Sequence, residues 1–136
     1  MWIIIGVAVF LLQWLFIGYR FSFGPFQALG DIRMSKLPGN AEAYSMKTVE
    51  PMADSPLEGK DVLFLGSSVT YGAASLQEGI PEYFATRFGC SVTKEAVSGT
   101  TLVDRGKGKS YVSRLKAMDP ATPCDLFVCQ LSTNDA

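Results

Sequence analysis

Asp61-Val62-Leu63-Phe64-Leu65-Gly66-Ser67-Ser68-Val69-Thr70-Tyr71 is the stretch that decides the fold. Val62–Leu65 is an unbroken apolar run entered from a polar turn, the texture of a parallel strand covered on both faces. It stops abruptly at Gly66-Ser67-Ser68, which puts a hydroxyl at the carboxyl end of a sheet. In open α/β folds that rim is where ligands bind.

Downstream, strand and helix signals alternate. Pro81 stands where a first helical turn tolerates it, before Glu82–Phe88, and Gly89 is a natural stop. Ser91–Val97 reads as a second strand, with Val92 and Val97 as core residues. After the polar, Gly-rich loop Asp104–Lys109, Ser110 caps a helix that runs to Met118 and is ended by Asp119-Pro120. Asp125–Leu131 is a third apolar strand, in which Cys129 is expected as a small buried hydrophobe. Right-handed crossovers turn this β-α-β-α-β order into a parallel sheet between helices, with the third strand as an open apolar edge.

Upstream, the texture differs. No charged side chain precedes Arg20, and Trp2–Gly18 is apolar except for Gln13. As a helix, that run is about 26 Å long, near the lower limit for crossing a bilayer. Trp2, Trp14 and Tyr19 lie at or near its ends, where amphipathic rings prefer the interface. Residues 1–19 are therefore expected to form a transmembrane anchor. A cleaved signal peptide would want a basic leader and a nearby small-residue cleavage site, and a buried soluble helix would have to hide an all-round apolar surface. Arg20, Arg33 and Lys36 follow the span, and the positive-inside rule would then keep the rest of the chain in the cytoplasm.

Residues 20–59, with Gly24-Pro25, Pro38-Gly39-Asn40, Pro51 and Pro56, read as an irregular connector with short helical turns near Ala41–Met46. Its Phe21, Phe23, Phe26 and Leu29 suit packing on the domain or a membrane surface better than a free linker. The formal net charge of −1 gives no basic face for nucleic acid. The three cysteines lack metal-ligand spacing, and there is no histidine, so zinc is not expected.

Two further polar blocks follow strands: Ser98-Gly99-Thr100-Thr101 and Ser132-Thr133-Asn134-Asp135. Acyl transfer needs a nucleophile, a base, and donors for the developing oxyanion. Ser68 is the candidate nucleophile, and its own backbone N–H is a first donor. Gly99 offers a second backbone N–H with no side chain in the way, and Asn134 offers a side-chain amide. Each block alone is ordinary turn chemistry. Their order, with offsets of 31 positions from Ser68 to Gly99 and 35 from Gly99 to Asn134, is what selects the functional reading.

On these blocks the chain resembles the SGNH, or GDSL-type, hydrolase superfamily. Gly66-Ser67-Ser68-Val69-Thr70 matches its first block, Ser98-Gly99-Thr100-Thr101 its second and Ser132-Thr133-Asn134-Asp135 its third. The resemblance covers residues 60–136 and implies a partial flavodoxin-like three-layer α/β/α domain. It makes Ser68 the nucleophile, with Ser68, Gly99 and Asn134 forming the oxyanion hole. It implies a small-molecule ester or acylated substrate and no cofactor. Ser67 stands where the family often has aspartate, and Ser132 where it often has glycine. The family's last block, Asp-x-x-His, has no counterpart here, so the chain is expected to be the amino-terminal portion of a longer hydrolase and inactive by itself. Asp104, Asp125 and Asp135 are candidate carboxylate substitutes for the missing base. A flavodoxin-like phosphate or flavin module using loop Ser67–Ser75 is the alternative, and a non-catalytic membrane-tethered remnant is another.

Overall fold

A computed structural model of the protein describes residues 2–104, 106, 109–131 and 133–135. Ser132, at the head of the third block, and three positions of the 104–109 loop lie outside them. The chain forms two compact units, residues 1–42 and 43–136.

In the first unit, helix α1 (Trp2–Phe21) is long and apolar enough to cross a membrane. The region expected as an irregular connector then holds a second helix, α2 (Gln27–Ser35), entered through a 3-10 turn at Gly24–Phe26. Two buried glycines explain it. A Cβ on Gly18 would collide with the backbone of Phe26, and one on Gly30 with the Gly18 carbonyl and Ser22. Gly30, a helix breaker by propensity, is there because the two helices touch at that point.

A 3-10 turn at Glu42–Tyr44 spans the boundary, and the second unit continues with another at Met46–Thr48, close to where short helical turns were expected. Its sheet has three parallel strands in the order β2-β1-β3. They are β1 (Asp61–Gly66), β2 (Ser91–Ala96) and β3 (Leu126–Cys129). Central β1 has Val62–Gly66 buried, as its unbroken apolar run requires. Val62 and Phe64 face helix α4 (Ile80–Phe88), where they pack with Cys90, Phe84 and Phe88. Leu63 faces helix α5 (Tyr111–Ala117) and lines cavities with its residues on the opposite side of the sheet. The result is a partial three-layer α/β/α arrangement.

The local punctuation follows the sequence closely. Gly89 ends α4 in the left-handed conformation (φ +66°), and Ser110 caps α5 by accepting from the Ser113 N–H at 3.0 Å. Two core expectations fail. Val97 is exposed because the chain leaves β2 there and turns, its carbonyl accepting from both the N–H and the hydroxyl of Thr100. Cys129 is exposed because β3 is an edge strand.

Candidate active site at the carboxyl edge of the sheet

All three blocks leave the same end of the sheet, because all three strands run parallel. The β1 to β2 connection and the β2 to β3 connection depart to opposite sides of β1. The carboxyl ends of β1 and β3 therefore flank the switch in strand order, the usual ligand crevice of such sheets.

The first block turns sharply from strand into helix. Ser67 is fully buried, and its carbonyl accepts from the Tyr71 N–H, opening a one-turn helix α3 (Ser68–Tyr71) that the sequence did not announce. Gly66 has no room for a Cβ, because the Thr70 side chain sits against it. The Thr70 hydroxyl is itself buried and donates to Gln130 Oε1 at 2.5 Å, which ties the first block to the end of β3. Ser68 is half-buried and lines a cavity of about 280 Å³ with Val69, Gly72, Ala73, Ala74 and Ser75. Neither Gly99 nor Asn134 lines that cavity. The Ser67 hydroxyl is buried without a hydrogen-bond partner among the described residues.

The second and third blocks are joined directly. Asn134 Nδ2 donates to the Thr100 carbonyl at 2.9 Å, and both Asp135 carboxylate oxygens accept from the Leu102 N–H at 2.8 and 2.9 Å. Gly99 takes the left-handed conformation (φ +78°) with open space where a side chain would be. Its glycine is required by the turn, and its backbone is open to approach.

Arg114 of α5 joins the second block to the first. Its Nη1 donates to the Gly66 carbonyl at 2.9 Å and approaches the Thr100 hydroxyl at 3.4 Å, while Nη2 pairs with Glu95 at 3.5 Å. Sequence reading missed Arg114 and Gln130, which carry no local motif, and gave Thr70 no role although it closes the first block, since the Thr70–Gln130 bond spans 60 positions. The apolar positions around Arg114 in α5 were its one available signal: a cation among them needs a partner.

None of the three candidate carboxylates is aimed at Ser68. Asp125 lies at the opposite, amino edge of the sheet, accepting from the Asp61 N–H at 2.9 Å beside Lys60. Asp104 closes a local turn onto the Gly106 N–H, and Asp135 holds Leu102. The described residues therefore bring a hydroxyl and backbone and amide donors to one rim without a base.

No family model matches the chain, and no curated protein or solved structure shows a significant similarity to it.

Proposed function

We propose that the protein is a membrane-tethered serine hydrolase of the SGNH type, acting on ester bonds of small acylated substrates. Ser68 is the nucleophile, and the Ser68 and Gly99 backbone N–H groups with the Asn134 amide are the oxyanion donors. The observation that carries this reading is the joining of the blocks at one rim by Asn134 to Thr100, Arg114 to Gly66 and Thr100, and Thr70 to Gln130. Three separate turns held together at the strand switch are what an oxyanion site needs, because its donors must be fixed before charge develops. Helix α1 supplies the tether, as a single membrane pass.

A phosphate-binding role for loop 67–75 has less support. The nearby cation, Lys94, donates to the Gln77 carbonyl at 2.9 Å and pairs with Glu82, so it is turned to the protein.

With no histidine in the 136 residues and the three aspartates engaged elsewhere, Ser68 lacks an imidazole to take its proton. Hydrolysis by these residues then rests on the donors alone. The test is turnover of short-chain nitrophenyl esters by the purified chain, its Ser68→Ala variant and its Asn134→Ala variant. The expected result is slow turnover barely above background, abolished by Ser68→Ala and lowered to background by Asn134→Ala. Turnover unaffected by Ser68→Ala would overturn the assignment.

A further inference from the structure

The first unit carries an apolar surface that continues past the end of α1. The chain bends at Ser22 (φ +50°) and Gly24 (φ +77°), and α2 folds back against the last turn of α1 through the glycine contacts. Arg33 fixes the bend. Its Nε donates to the Tyr19 carbonyl at 3.0 Å and its Nη2 to the Arg20 carbonyl at 3.3 Å, two of the end carbonyls that a helix leaves open. Its guanidinium also lies 5.6 Å from the centre of the Tyr19 ring. The elbow is thus a built feature with defined partners.

Around it, Phe21, Phe23 and Ile32 are 64%, 62% and 55% exposed, and Leu29 and Leu37 are exposed as well. Arg20, whose guanidinium lies over the Phe21 ring, and Lys36 are interleaved with them. Large apolar side chains mixed with long basic ones, directly continuous with a helix long enough to span, match the boundary between headgroups and acyl chains.

We propose that the elbow and α2 lie in the phospholipid headgroup–acyl boundary of the bilayer that α1 crosses, so that the first unit is a span with an interfacial foot. This rests on the membrane reading of α1. The phenylalanines and Ile32 enter the upper acyl region, about 5–10 Å deep, and Arg20 and Lys36 reach the headgroups.

Tryptophan fluorescence of the full chain in phosphatidylcholine vesicles carrying bromine at chosen acyl depths tests both statements separately. Trp2 and Trp14 are the natural tryptophans. Because the Trp14 ring packs on Gly24 of the elbow, the span is reported from mid-helix by Phe10→Trp in a Trp2→Phe/Trp14→Phe background. Ile32→Trp and, independently, Leu29→Trp in the same background report the foot, with circular dichroism checking that each variant keeps its helix content. The expected result is quenching of the residue-10 reporter by deep bromines and of the residue-32 and residue-29 reporters by bromines near the headgroups. Quenching of the residue-10 reporter with neither foot reporter quenched would overturn the interfacial foot while leaving the span intact, meaning that protein or water covers that face. No quenching of the residue-10 reporter at any depth would remove the span itself and the foot with it.

Discussion

At Arg114 one guanidinium meets the Gly66 carbonyl, the Thr100 hydroxyl and Glu95, so a single side chain links β1, the loop after β2 and α5. Charge-assisted bonds to buried carbonyls are the stronger kind, and Arg114→Ala is expected to cost about 2 kcal/mol in urea unfolding. Lysine at this position reaches only one of the partners and should restore little of the loss. Gly99 is a different case, since nothing occupies the space of its missing side chain. Gly99→Ala should cost only about 1 kcal/mol, the penalty of a left-handed alanine. It should lower any Ser68-dependent ester turnover more than it lowers stability, because the added methyl enters the open space beside the proposed oxyanion N–H. The cysteines give a third check at this scale. Burial pushes the Cys90 thiol up from its ordinary value against a weaker opposing backbone hydrogen bond, while Cys124 and Cys129 are exposed. Ellman's reagent is expected to find two fast thiols and one that reacts only on unfolding.

Among the elements, those with strong local punctuation were legible in sequence. The apolar run of β1, the Pro81 entry and Gly89 exit of α4 and the Ser110 cap of α5 each name their own boundary. Elements defined by contact were not. Helix α2 was hidden because Gly30, which reads as a breaker, is a packing glycine against Gly18 and Ser22. Val97 and Cys129 carried core-like side chains into positions that strand order leaves uncovered. At the rim, the sequence placed the turns after the strands, but not Arg114 or the Thr70–Gln130 bond that join them. Helix α4 offers a pH-dependent test. Burial pushes the Glu82 carboxyl up, but Lys94 at 2.5 Å and the Gly79 N–H at 2.7 Å outweigh it, leaving the group below its ordinary value of 4.5. A carboxyl that is more acidic in the folded state binds fewer protons there, so its stabilisation is present above about pH 4.5 and fades as acid protonates it in the folded protein. Glu82→Gln should therefore cost about 1 kcal/mol near neutrality, and the gap to the parent should close in stability curves taken below the ordinary carboxylate range.

Across the whole molecule, the two edges of the sheet are unlike. Strand β2, Ser-Val-Thr-Lys-Glu-Ala, carries Lys94 and Glu95, and charge on an edge discourages a further strand from adding. Strand β3, Leu-Phe-Val-Cys, carries no charge, and among the described residues it pairs with β1 alone. Phe127 is 41% exposed there, beside a cavity of about 440 Å³ between the sheet and α5. An uncharged strand with one open row of backbone groups and an exposed aromatic ring is a template for strand addition. The detergent-solubilised chain is expected to associate increasingly with concentration in sedimentation velocity. Phe127→Lys should shift it toward the smaller species, since a like charge would then face itself wherever two β3 edges meet. Thr93→Lys, an exposed change on the already charged β2 edge, should leave the distribution as it was. Equal association in the parent and both variants would locate the contact elsewhere and show that the β3 edge is not adhesive. If Phe127→Lys also raised Ser68-dependent turnover, strand addition at β3 would be implicated in closing off the carboxyl rim.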